Sequence, residues 1–173
     1  MKKALINFIL FILVSIPILA QQPTFKDSLL DHMAGSWLLE GTIAGRQITH
    51  DIEANWVLAH QYMLIHETSH EKTADGKLQY EANVYIGWDQ ASGEYVCIWL
   101  DVYGDIAPQS IGSTKPAGNN EIPFIFRDSS NADNFHTTFI YNKDTDTWQW
   151  LMANVDKGKL LPFADVKLTK KNK

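Results

Sequence analysis

The stretch that decides the fold is residues 78–103, which read LQYEANVYIGWDQASGEYVCIWLDVY. In its first half every second residue is apolar, and this set is Leu78, Tyr80, Ala82, Val84 and Ile86. A period of two is typical of a half-buried β-strand. Residues 94–102 form a second run that is apolar on both sides, and residues 89–93 between them have the length and the glycine of a hairpin turn. The stretch therefore predicts a β-hairpin with heavy side chains.

The second strand of this hairpin has two apolar faces, and only one of them can face the interior of a sheet or barrel. We expect the interior face to be Tyr95, Cys97, Trp99 and Asp101. The other face then requires cover from a loop, a partner or the N-terminal helix.

Strand patterns continue along the chain on both sides of the hairpin, separated by short turns. They cover residues 36–43, 46–56, 60–70, 106–114, 121–127, 134–141, 147–155 and 159–169. Pro123 marks the strand at 121–127 as an edge or a bulge. Residues 24–33 predict one short helix with Thr24 as its N-cap. About ten antiparallel strands with short links favour a closed up-and-down barrel, because closure removes the open edges of the sheet.

The N-terminal residues 1–20 predict a secretory signal peptide. Lys2 and Lys3 precede an apolar run, and Ala20 offers a small residue for cleavage. A membrane anchor is disfavoured because the run is shorter than the roughly 20 apolar residues of a spanning helix. We therefore expect residues 21–173 to form a single domain that is exported, periplasmic or secreted, with no membrane span in the mature chain.

The charge of the chain excludes some partners. It has 20 acidic and 15 basic residues, a net charge of −5, and this argues against nucleic acid as a partner, which requires a basic face. Cys97 is the single cysteine, so no internal disulfide can form. We expect Cys97 to be a small buried hydrophobe.

Two places resemble a known family. Gly35-Ser36-Trp37 resembles the Gly-x-Trp opening of lipocalin-like (calycin) barrels, in which a short helix precedes the first strand and the Trp plugs the closed end. The hairpin is similar to one in exported bacterial lipocalin-like domains of unknown function, and the residues that carry this similarity are Gly87, Trp88, Asp89, Gly93, Tyr95, Trp99 and Asp101. The resemblance spans about residues 29–112.

This resemblance implies a lipocalin-like barrel with a small apolar ligand, and it transfers no catalytic residue and no cofactor. Two departures stand out. Leu58-Ala59-His60 replaces the paired glycines that often precede the third strand in that family. The lipocalin Arg that stacks on the Trp has no counterpart, and we expect Lys167 to be the cation available in its place.

His66-Glu67-Thr68-Ser69-His70 matches the zinc-peptidase pattern His-Glu-x-x-His. On a helix the two imidazoles share a face and reach one Zn²⁺. On a strand the same residues lie about 13 Å apart at roughly 3.3 Å per residue, too far to chelate one ion. Because the barrel pattern requires a strand at this position, zinc binding is the weaker hypothesis, and no metal is assigned.

Aromatic residues recur at strand parity and suit either a filled interior or a ligand cavity. Our first hypothesis is an aromatic-lined interior that binds a small hydrophobic or amphipathic molecule. The candidate ligand-binding residues are Tyr62, His66, Tyr80, Trp99, Asp101, Phe139 and Trp150.

Two alternatives remain open at the level of the sequence. One is a hydrolase or isomerase that uses His66 and Asp101, or the zinc peptidase. The other is a structural or interaction module with a filled barrel. No catalytic residue is assigned, and the interpretation favours a protein that is not an enzyme. Ligand identity and oligomeric state stay undetermined.

Overall fold

A computed structural model of the chain describes residues 24–104, 107–118 and 120–171, and the predicted signal peptide lies outside these residues. Ten strands form a closed antiparallel barrel in which each strand pairs with its neighbours in sequence, and the first strand pairs with the last. The predicted all-β fold, strand number and up-and-down order are confirmed. The strands are β1 (Gly35–Ile43), β2 (Arg46–Val57), β3 (Tyr62–Ser69), β4 (Glu81–Asp89), β5 (Glu94–Asp101), β6 (Ile111–Thr114), β7 (Glu121–Arg127), β8 (Asp133–Asn142), β9 (Thr147–Asp156) and β10 (Lys159–Lys170).

The predicted hairpin is β4 and β5, which pair from Ala82 and Asp101 at one end to Asp89 and Glu94 at the other. The alternation is confirmed, since Ala82, Val84 and Ile86 are buried. On β5 the expected interior face is confirmed as well. Tyr95 and Cys97 are buried, Trp99 packs against the core, and Asp101 lines an internal cavity.

A single short helix, α1 (Ser28–Asp31), precedes β1. Its N-cap is Asp27, whose Oδ1 accepts hydrogen bonds from the backbone amides of Leu29 and Leu30 at 2.9 and 2.8 Å. The prediction of Thr24 as N-cap was therefore wrong, as was the predicted helix length. Asp27 lies three residues after Thr24, and its carboxylate is a favourable N-cap because it accepts from two backbone amides that have no partner within the helix.

Helix α1 closes one end of the barrel together with Trp37. The Trp37 side chain is fully buried, and its Nε1 donates to the carbonyl of Met33 at 2.7 Å. The Lys170 ammonium lies 5.1 Å from the Trp37 ring centroid. Lys170 rather than the expected Lys167 therefore contacts Trp37, because Lys170 is opposite Trp37 in the β1–β10 register and Lys167 is opposite Glu40.

Tyr95 connects this closed end to the helix. Its hydroxyl donates to Oδ2 of Asp27, whose other oxygen caps the helix. Burial raises the pKa of Tyr95, and the Asp27 carboxylate raises it further. We expect Tyr95→Phe to lower the free energy of unfolding by about 1.5–3 kcal/mol, the usual value of a hydrogen bond to a charged group. Urea denaturation followed by tryptophan fluorescence measures this loss.

Tyr103→Phe is the matched control, since it removes the same hydroxyl from a side chain that is 78% exposed. If both variants unfolded at the same urea concentration, the Tyr95–Asp27 bond would make no contribution to stability.

The middle of the barrel is filled by a layer of large side chains. Trp150 stacks on Phe139 at a centroid distance of 4.5 Å, and Phe139 meets Phe124 edge to face at 6.3 Å. All three rings are fully buried, and Trp150 Nε1 donates to Thr137 Oγ1 at 2.6 Å. This layer separates the closed end from the other half of the barrel.

Strand β6 is much shorter than the predicted strand at 106–114. The first residue of the predicted strand, 106, lies outside the described residues, and a 3-10 turn at Pro108–Ser110 occupies the positions before β6, because Pro108 cannot donate to a neighbouring strand. Only Gly112 and Ser113 of β6 pair with β7. Among the described residues Pro123 has no strand partner on the β6 side, so it lies at a local gap in the sheet, although β7 as a whole pairs with both β6 and β8 and is not an edge strand.

In the described part of the chain, no helix has the length and apolar character needed to cross a membrane.

Candidate functional site

The half of the barrel opposite α1 encloses a cavity of about 720 Å³ that opens at the barrel end. Its wall combines an apolar set with a polar set. The apolar set comprises Ile43, Ile48, Trp99, Phe126, Phe135, Met152 and Phe163. The charged and hydrogen-bonding groups lie mainly on the β2, β3 and β5 side. An apolar pocket with a few placed polar groups is the usual form of a small-molecule site.

His50 and Glu67 form a buried pair in this wall. His50 Nδ1 lies 2.5 Å from Glu67 Oε1, and the two residues are only 5% and 1% exposed. Both side chains point inward. His50 is two residues before buried Ile52 on β2, and Glu67 is two residues after buried Ile65 on β3, so each shares the inner face of its strand. A carboxylate so far from bulk water requires a partner, and the imidazole provides one. The pair places one carboxylate and one imidazole in the wall of the cavity.

Tyr80 continues this polar wall. Its ring stacks on His50 at a centroid distance of 5.8 Å, and its hydroxyl accepts a hydrogen bond from Trp99 Nε1 at 3.1 Å. Burial raises the pKa of Tyr80, and the negative charges of Glu67 and Asp101 raise it further. The phenol therefore stays protonated, and its O–H is a donor available to a ligand.

Charged groups also surround the mouth of the cavity. Asp101 is half-buried, and its Oδ1 accepts from the backbone amide of Tyr103 at 2.9 Å. Glu71 and Arg46 line the same opening and are exposed. Arg46 is the one Lys or Arg side chain among the described residues that line the cavity.

Five of the seven candidate residues lie in or below this cavity. Tyr80, Trp99 and Asp101 line its wall. Trp150 lies beneath, with its ring 5.3 Å from that of Trp99, and Phe139 stacks on the far side of Trp150. The hairpin and the late strands thus meet at one site.

The structure places the other two candidates, Tyr62 and His66, on the outside of the barrel. Tyr62 is 40% exposed, and its ring covers Gly87, where an added Cβ would lie 2.7 Å from the ring. His66 Nε2 contacts Glu81 Oε1 at 3.0 Å. Both residues are even-numbered, whereas the buried residues of β3 are Met63, Ile65, Glu67 and Ser69. A shared catalytic role of His66 and Asp101 is excluded, because the barrel wall separates the two side chains.

The zinc-peptidase alternative is also excluded. The motif lies on strand β3 rather than on a helix, so Glu67 points inward while His66 and His70 point outward. His70 Nε2 contacts Asp51 Oδ1 at 2.9 Å, away from the His66–Glu81 contact. Among the described residues, no group of three or more His, Cys, Asp or Glu side chains is placed to hold a metal ion.

A shallower depression lies on the outer face of β3, β4 and β5. It is lined by Leu58, Tyr62, Val96 and Ile98 together with Tyr85 and the last three residues of β4. Neighbouring side chains of adjacent strands thus partly cover the outer apolar face of β5. Val96, Ile98 and Leu100 stay half-buried on this face, and the four-residue α1 lies at the closed end, so the helix does not provide the expected cover.

Sequence reasoning missed His50 and the inward position of Glu67. The available signal was the parity of β3, where Met63 and Ile65 share a face with Glu67.

The sequence matches no protein-family model and no curated protein. The function is therefore inferred from the geometry of the cavity.

Proposed function

We propose that this protein is a lipocalin-like barrel that is exported after removal of residues 1–20 and binds a small amphipathic molecule in its open-ended cavity. The observation that carries this proposal is the cavity of about 720 Å³, which is apolar on one side and holds the buried His50–Glu67 pair on the other. A volume in the range of roughly 300–1,000 Å³ suits a small-molecule ligand.

The contrast between the two barrel halves supports a binding role. The half near α1 is packed solid around Trp37, whereas the other half is hollow. A barrel that served only as a rigid module would gain stability from filling this space, because cavities forfeit packing contacts. Burial of the Glu67 carboxylate also costs desolvation free energy. A role in ligand binding accounts for its presence in the cavity wall.

Titration with N-phenyl-1-naphthylamine, an uncharged fluorescent aromatic probe, tests this proposal. We expect saturable binding with one site per chain. Ile48→Trp should weaken binding by at least about tenfold, because Ile48 lies on the inner face of β2 and a larger ring there fills the cavity. Fluorescence enhancement of the probe measures the affinity.

Leu151→Trp is the matched control, since it adds the same ring on the outer face of β9, where Leu151 is 37% exposed. The proposal is contradicted if the probe fails to bind the unaltered protein, or if both variants bind it equally well.

A further inference from the structure

We propose that the ligand of the cavity is a cation, an amine whose ammonium group lies against Glu67 and Asp101 while its apolar body contacts Trp99 and the phenylalanines opposite. This inference rests on the proposed function and deepens it by naming the chemical class of the ligand. It follows from the charge, the free hydrogen-bonding atoms and the ring faces that line the cavity.

The charge of the wall is negative. Three carboxylates line the cavity, those of Glu67, Glu71 and Asp101, against the single guanidinium of Arg46. Arg46 lies exposed at the mouth, where water screens it, whereas Glu67 is 1% exposed. Even with His50 protonated, the wall keeps a net negative charge. A ligand carboxylate would meet like charges in a site of low dielectric, and an ammonium would meet opposite ones.

Glu67 also retains an unused acceptor. Its Oε1 contacts His50, and among the described residues its Oε2 has no hydrogen-bond partner. In the described chain, every side-chain nitrogen or oxygen that is sealed from solvent has a hydrogen-bond partner. Because Oε2 has no partner, it is not sealed, and it faces the cavity space. An ammonium carries three donors and would satisfy this oxygen.

Aromatic rings flank the same position. Tyr80 stacks on His50 and lies 6.1 Å from the ring of Tyr103, and Trp99 hydrogen-bonds to Tyr80. Ring faces attract a cation within about 6 Å, most strongly when water is excluded. The negative charges of Glu67 and Asp101 raise the pKa of Tyr80, because they disfavour the phenolate anion. The same charges favour a cation at this place.

The opposite wall is suited to the hydrocarbon part of such a ligand. Phe126, Phe135 and Phe163 pack edge to face in one row, with centroid distances of 6.2 and 5.9 Å, and Met152 lies beside them. A ligand with one charged end and one aromatic or aliphatic end would match both walls.

Calorimetric titration with three matched probes at pH 7 tests the inference. The probes are 1-naphthylmethylamine, 1-naphthylmethanol and 1-naphthoate, which share the ring and differ in the charge of the polar group. We expect the amine to bind at least about tenfold more tightly than the alcohol, and the carboxylate to bind most weakly. Equal or tighter binding of the alcohol or the carboxylate overturns the inference and leaves the proposed function standing. Failure of all three probes and of N-phenyl-1-naphthylamine overturns both.

Three variants test whether the ammonium group binds at Glu67 and Asp101. Glu67→Gln should weaken amine binding by at least about tenfold and change alcohol binding by less than about threefold. Asp101→Asn keeps an oxygen that can accept from the backbone amide of Tyr103, and it should weaken amine binding by about three- to tenfold. Glu40→Gln removes the same charge on the exposed outer face of β1 and should leave the affinity within about twofold. If Glu40→Gln weakened amine binding as much as the two cavity variants, the amine would be responding to net charge alone, and the assigned site would be wrong.

Discussion

Trp150→Ala is expected to lower the free energy of unfolding by about 3–5 kcal/mol, the range observed when a buried tryptophan or phenylalanine is truncated to alanine. The Trp150 ring is fully buried and stacks on Phe139, and its Nε1 donates to buried Thr137. The variant loses these contacts and leaves the Thr137 hydroxyl without its donor. Since a domain of this kind is stable by about 5–15 kcal/mol, the loss is a large share of the total. Guanidinium denaturation measures it.

Leu151→Ala provides the control one residue along the same strand. Leu151 points outward and is 37% exposed, so its truncation should cost less than about 1 kcal/mol. A loss below about 1.5 kcal/mol for Trp150→Ala would mean that neighbouring side chains collapse into the space. The side chains beneath the cavity would then rearrange more readily than their packing indicates.

Gly41→Ala is expected to destabilise the barrel by at least about 3 kcal/mol, through steric overlap and backbone strain together. Gly41 is opposite Val166 in the β1–β10 register and has a φ of +149°. An added Cβ would lie 2.7 Å from the Cα of Val166 and closer still to the carbonyl oxygen of Asp165. Both are backbone atoms, so relief requires β1 and β10 to move apart. Thermal unfolding followed by circular dichroism measures the effect.

Gly45→Ala separates the two causes. Gly45 also has a positive φ, of +75°, but an added Cβ there meets no atom within 4 Å. Its expected cost is the conformational one alone, about 1–2 kcal/mol. Equal losses for the two variants would show that the β1–β10 seam accommodates a methyl group.

The barrel could be predicted because most strands carry two independent signals, alternation and turn residues. The β4–β5 hairpin is the clearest case, since its inner faces follow from parity once one buried residue is fixed. The lengths of the strands were harder to predict than their presence. The strand predicted at 106–114 begins too early, because Pro108–Ser110 form a 3-10 turn and β6 starts at Ile111.

The site could be predicted in part. Tyr80, Trp99 and Asp101 follow from the hairpin parity, and all three line the cavity. Tyr62 and His66 were assigned to the interior because β3 is rich in bulky residues on both faces, and bulk alone does not distinguish the faces. Here the outward Tyr62 ring covers Gly87, a role that depends on the register with β4.

The His50–Glu67 pair could not be predicted from spacing, because the two residues come from different strands. His50 is opposite Ser69 in the register, and Glu67 is opposite Ile52, so the pair is diagonal across β2 and β3. Diagonal neighbours lie within reach of long side chains, but their identity follows only once the register is known.

The closure of the barrel by β1 and β10 has a consequence for the order of folding. The first strand pairs with the last, from Trp37 with Lys170 to Ile43 with Ala164. A growing chain therefore cannot complete the sheet until nearly all of it has been synthesised, and β1 keeps an open edge until then. Contacts between such distant residues slow folding, because the chain must lose the entropy of a long loop before they form. The intact cavity is thus among the last features of the molecule to appear.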